Sequence, residues 1–190
     1  DGCDRPWSLR VEQLPVEDPV ACALVRRLPN ARLLPGGDIP LVDLRARATP
    51  SEHISKNLRR QLQKCRNRLE ADGIGTVMTF TRSREALRDV LQEIEDVHRN
   101  RDHDVGRESD IDDAAARQLW RNIINTHIDR GETEIGTLRL DGSLAAYVVS
   151  FIDHCTYRVF DGRFDTRWGR YSPGRLLETA RRLVAVQSPT

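Results

Sequence analysis

Apolar positions along this chain follow two rhythms, one with a period of two and one with a period near four. Leu144 to Phe151 (LAAYVVSF) is almost continuously apolar and β-rich, the pattern of a central strand covered on both faces. Glu134 to Leu140 precedes it, and Asp141-Gly142 joins the two. That dipeptide between strand-like runs predicts a type I′ hairpin, whose central residues both need positive φ. Asp153-His154 reads as a second turn. Cys155 to Phe160 is the third strand, with Cys155, Tyr157 and Val159 on one face and Thr156, Arg158 and Phe160 on the other.

Helical spacing governs the flanking segments. A helix opens at Pro50-Ser51-Glu52-His53 and runs to about Ala71, where Asp72-Gly73 closes it; Ile54, Leu58, Leu62, Cys65 and Leu69 form its apolar stripe. Gly75 to Phe80 is a strand. Ser83 caps a helix that buries Leu87, Val90, Leu91, Ile94 and Val97. Arg99 to Asp113 is highly charged and reads as a mobile surface loop. Asp112 or Asp113 starts a helix to Arg130 with Ala116, Leu119, Trp120, Ile123, Ile124 and His127 inward, ended by Gly131. The last helix carries Leu176, Leu177, Ala180, Leu183 and Val184 at helical spacing.

The first 50 residues are proline-rich. Trp7 to Leu14 and Ile39 to Leu44 read as strands, Pro19 to Leu28 as a short helix with proline at its start, and Gly36-Gly37 as a loop. Such a segment is too small to bury a core of its own and should dock on a neighbour. The expected division is therefore a segment 1–48 and a domain 49–190. The chain has 190 residues, 31% charged and 38% apolar, with a net charge of +1, which argues against a nucleic-acid protein acting through bulk electrostatics. No run reaches the length of a membrane span, and no signal-peptide pattern opens the chain. Cys3, Cys22, Cys65 and Cys155 show neither metal spacing nor the density of a disulfide scaffold, so they read as thiols in a reducing compartment, the cytoplasm. The start lacks an initiator methionine, which suggests a fragment.

Candidate chemistry centres on Arg170 to Arg175 (RYSPGR). Ser172 suits an N-cap and Pro173 the first helical position; Gly174 would let a ligand approach the backbone. Free amides and the positive end of the helix dipole make an anion site there, with Arg170 and Arg175 adding charge. Ser-Pro-Gly is equally an ordinary way to start a helix, and these six residues alone leave both readings open. On the helix from Ser51, the basic residues Lys56, Arg59, Arg60, Lys64, Arg66 and Arg68 cover the whole non-apolar arc. They suit either an acidic partner or, as that spread favours, a solvated face. His98, Asp102, His103 and Asp104 have no established metal spacing, so no metal is expected. His127 reads as a hydrogen-bonded residue at the core edge. No Ser/His/Asp or Cys/His constellation stands out by spacing, so covalent catalysis is not expected.

Helices, an antiparallel meander, then a loop and helix bearing an anion site resemble the GNAT acyltransferase fold. More narrowly, Ser51 to Gly73, Leu138 to Ala146 and Tyr171 to Leu177 are similar to markers of the acetyltransferases of the cellulose-biosynthesis type, relatives of the Fem-type peptidoglycan aminoacyltransferases; the resemblance covers about residues 49 to 187. It implies an α/β fold with a mixed, mainly antiparallel sheet flanked by helices. It implies acetyl-CoA or another acyl-CoA as co-substrate and an amine acceptor, either a small molecule or a peptidoglycan or lipid precursor. By the same resemblance Ser172, Pro173, Gly174, Arg175 and their neighbours Arg170, Tyr171 and Leu176 hold the pyrophosphate. A backbone amide near Val159, Phe160 and Asp161 polarises the thioester carbonyl, and the charged loop lies over the acceptor. Asp161 and Glu134 are the candidate bases.

Two alternatives come with the resemblance: a Fem-like transfer from aminoacyl-tRNA, and a non-catalytic docking lobe. The resembled core continues with a fifth strand and a helix where this chain stops. That implies either a truncated core or a place filled by another segment or subunit. The open sheet edge should be covered by a partner, such as a second copy or a preceding GNAT-like half with residues 1–48 as its tail, or else promote association.

Overall fold

The computed structural model describes residues 18–34, 54–153 and 156–187. The strands expected at Trp7–Leu14 and Ile39–Leu44, the loop at Gly36-Gly37, the helix start at Pro50–His53 and the positions of His154 and Cys155 lie outside those residues. The chain divides into two units, 1–43 and 44–190. In the first, the described part contains helix α1 (Pro19–Arg27), with Asp18 as its N-cap accepting from the Val20 and Ala21 amides. Pro19 sits at N1, where its missing N–H leaves no bond unmade.

The second unit runs α2 (Lys56–Ala71), β1 (Thr76–Thr81), α3 (Arg84–Asp104), α4 (Ala114–Ile128), β2 (Thr133–Leu140), β3 (Ser143–Asp153), β4 (Thr156–Phe164), a 3-10 turn (Thr166–Tyr171) and α5 (Pro173–Gln187). The four strands form one sheet in the order β1-β2-β3-β4, with every pairing antiparallel. The hairpin is as the dipeptide predicts: Asp141 and Gly142 have φ of 48° and 79°. Asp141 also bridges to the start of β1, its carboxylate accepting from the Gly75 amide at 2.7 Å.

Each face of the sheet has its own core. Ile135, Tyr147 and Val149 pack with Leu87 and Ile94 of α3 and Ile124 of α4. Leu138, Ala146 and Val148 pack with Leu62 and Leu69 of α2 and Leu177 of α5. Covering on both sides explains why β3 is apolar without alternation. Among the described residues no helix is long and apolar enough to cross a membrane.

Four expectations are corrected. α2 starts at Lys56 and not at Pro50–His53, because Ser55 is extended and its hydroxyl caps the helix by accepting from the Leu58 amide. α3 continues to Asp104, so Arg99–Asp104 is helix and not loop. His98 and Asp102, one turn apart and buried, hold that last turn to the sheet, and Gly106 (φ 72°) ends it. β4 extends four residues past Phe160. Leu119 of α4 is 61% exposed, because the buried row is Trp120, Ile124 and Ile128, and Leu119 lies about 100° around the helix from it.

Candidate active site

Phe160 marks a fault in the outer ladder. Val149 pairs with Asp161 and Ser150 with Val159, so Phe160 is an extra residue with no partner across on β3. The bulge leaves Val159 56% and Phe160 39% exposed. Phe160 stays on the same side as Phe151, with ring centroids 4.7 Å apart, and Phe151 stacks on His127 of α4 at 4.6 Å. His127 is tied down by Glu132 at 2.8 Å. β4 is the outer strand of the described sheet, so backbone groups on its far side face no other described strand.

The chain then turns from β4 into α5. Ser172 adopts the left-handed conformation (φ 52°, ψ 53°), not the extended geometry of an ordinary N-cap, since the following proline bars the right-handed helical region to it. Its carbonyl accepts from the Leu176 amide at 3.1 Å. Pro173 has no amide to offer, so at the positive end of the helix the N–H groups of Gly174 and Arg175 are those that meet no acceptor among the described residues. A Cβ on Gly174 would meet only Phe164 Cδ1 at 3.8 Å, so folding does not demand glycine there. Tyr171, Pro173 and Leu176 bury their side chains, which leaves only their backbone for a ligand.

The two arginines differ. Arg170 forms an ion pair with Asp72 and lies over the Tyr171 ring at 4.6 Å, while the Tyr171 hydroxyl donates to the same carboxylate at 2.6 Å. The Tyr171 and Arg170 hydrogen bonds hold Asp72 below the usual carboxylate range. Arg170 therefore braces the loop. Arg175 is exposed and donates to the neutral Gln61 side chain at 3.0 Å, and among the described residues no carboxylate pairs with it.

On the α3 face of the sheet, beside the bulge, Asp161 is one of a set of buried polar groups. Its Oδ2 lies 3.1 Å from His98 Nδ1 and accepts from the Tyr147 hydroxyl at 2.9 Å; Oδ1 accepts from Arg163 at 2.8 Å. Arg163 also donates to Asp102 at 3.1 Å, and Asp102 Oδ2 lies 3.2 Å from His98 Nε2. Burial raises Asp161, but the His98 hydrogen bond and the charges of His98 and Arg163 outweigh it and hold the carboxyl below its ordinary range. Burial, and then the charge of Asp161, push the Tyr147 hydroxyl up, so Tyr147 is a fixed donor. With three donors taken, a carboxylate's four acceptor sites leave one, on Oδ1.

Glu134 is not part of this set. It lies on the opposite face, paired through both oxygens with Arg181 of α5, while Arg82 approaches at 3.4 Å. With both oxygens already accepting from guanidinium groups and the side chain buried, Glu134 has little room to reach a substrate. The two candidate bases thus sit on opposite faces of the sheet, and Glu134 serves as a tie between α5 and β2.

His98, Asp102, Tyr147 and Arg163 were not legible as a group. The signals were there in part: His98 and Asp102 one helical turn apart, and Asp161 and Arg163 two apart on a strand. Ending the strand at Phe160 hid the second pair. The profile of the acetyltransferase (GNAT) domain matches residues 56–184, well over half of the chain, and the element order and sheet agree with it. The chain belongs to the GNAT acetyltransferase family and is an acyltransferase. No curated protein matches it.

Proposed function

We propose that this domain transfers an acyl group from acyl-CoA to an amine in the cytoplasm, as an acetyltransferase of the cellulose-biosynthesis type. The observation that carries the reading is the placement, along one strand and the loop after it, of a bulge at Phe160 and a helix start with two free amides at Gly174 and Arg175. The pyrophosphate would lie against those amides and Arg175, with the thioester along β4 and its carbonyl at the amide of the bulge. The amine nitrogen attacks the carbonyl carbon, the C–S bond breaks, and the sulfur leaves as the CoA thiolate. Asp161, depressed and so ionised, is better suited to orient the amine through the open site on Oδ1 than to take its proton strongly; the proton passes to water and the thiolate takes one up.

The test is calorimetric titration with acetyl-CoA of the wild type and of Gly174→Asp. A carboxylate in the first turn suits the helix dipole and should leave folding intact, yet it opposes a phosphate at the same amides. We expect binding by the wild type and an affinity loss of about tenfold or more in the variant, the scale of one close like-charge contact. Equal affinities would refute the phosphate placement, and no binding by the wild type would refute the donor.

A further inference from the structure

Helix α2 carries six basic residues against one acid, Glu70, in a chain whose net charge is only +1, so the remainder of the molecule is acidic. All six are exposed. Four of them, Lys56, Arg60, Lys64 and Arg68, recur at every fourth position and form a single row about 18 Å long. Arg59 and Arg66 lie off that row. Like charges one turn apart disfavour a helix by a small amount each, a cost that an anion laid along the row would remove. The helix adjoins the start of α5 at two points. Arg68 donates to the Arg170 carbonyl at 2.5 Å, and Gln61, one residue beyond Arg60, accepts from Arg175.

Two classes of polyanion fit a row of cations. A nucleic acid is a long uniform anion held by a large excess of cations and by stacking; the chain carries a net charge of only +1, and α2 has no aromatic ring on which a base could stack. A compact protein with an acidic helix needs complementarity only along the row itself. The same side of the domain holds the amides assigned above to the donor's phosphate, so a protein docked on the row could feed a thioester arm to them.

We propose that the Lys56–Arg60–Lys64–Arg68 row docks an acidic carrier protein that presents the acyl group as a thioester on a phosphate-linked arm. This rests on the thioester-donor reading and names the donor's carrier. The experiment measures binding of holo-acyl-carrier protein to the full chain at low and high salt, with Arg60→Glu/Lys64→Glu as the variant and Arg59→Glu/Arg66→Glu as the off-row control. The row variant places Glu one turn from Lys56 and Arg68, which strengthens the helix, so lost binding cannot come from unfolding. The expected result is binding that weakens steeply with salt, falls about tenfold or more in the row variant and changes far less in the control. Binding insensitive to salt or to the row variant, no binding at low salt, or capture of tRNA in place of the carrier would each overturn the proposal. Acetyl-CoA titration of the same preparations separates the two readings: if CoA binds and the carrier does not, docking fails and the transferase reading stands.

Discussion

Asp141-Gly142 and Asp161-Gly162 are the same dipeptide with two different physical meanings. In the first, both residues take positive φ and turn the chain. In the second, the strand runs straight through, and Gly162 is small because a Cβ there would meet the Tyr147 carbonyl oxygen at 3.2 Å. Local sequence separates these cases poorly, and a strand ended at Phe160 leaves Asp161 and Arg163 without their shared face. Gly136 makes the same point more sharply. A Cβ on it would lie 2.8 Å from both Phe80 Cε1 and Val148 Cγ1, inside a sheet face already filled by side chains. Gly136→Ala should therefore destabilise the domain by about 1–3 kcal/mol, the usual cost of overpacking, read as a lower urea midpoint with an unchanged slope.

Ion pairs tie the elements to one another beside the apolar stripes. Arg121 of α4 grips the buried Glu95 of α3, and Arg139 of β2 donates to Glu93 of α3 at 2.5 and 2.9 Å. Glu134 and Arg181 do the same for α5, with Arg181 also lying 4.7 Å from the Tyr157 ring centroid. Removing one member leaves a buried charge unpaired, so Glu134→Ala should lose about 3–5 kcal/mol of stability. Where the variant remains folded, its acetyl-CoA affinity should be unchanged. A loss of affinity without a loss of stability would restore Glu134 to the site. The helices themselves were readable from their stripes, and two of them from their caps, since Ser83 and Asp113 each accept an amide of the first turn; the cap of α2 is Ser55, which lies past the expected start at Pro50–His53. Their ends were not: α3 runs on through a charged stretch because two of those polar residues are buried partners and not solvated ones.

For the molecule as a whole, the set around Asp161 joins α3, β3 and β4 and links stability to pH. The groups facing Asp161 are His98 and Asp102 of α3, Tyr147 of β3 and Arg163 of β4. Because the folded carboxyl sits below its unfolded value of 3.8, its contribution is complete above about pH 4 and is lost as pH falls through that value toward the folded one. Asp161→Asn should therefore show a shallower loss of stability between neutral and acid pH than the wild type, measured by urea unfolding across that range. Parallel acid limbs would mean that Asp161 does not titrate with folding. The same variant should lower acyl transfer by about 10², the lower end for a group that handles a transferred proton or orients its donor.

The residue pattern by itself determined the strands and helices, the type I′ hairpin and the order of elements that marks a GNAT domain, because period, caps and turn chemistry are local properties. It also singled out the Ser-Pro-Gly start of α5. Only the tertiary structure decided which charges are free and which are held: Arg170 against Asp72, Glu134 against Arg181, Asp161 among His98, Tyr147 and Arg163. Those partners stand between 47 and about 100 residues apart in most of these pairs, and no local pattern carries which distant side chains the folded sheet will bring together.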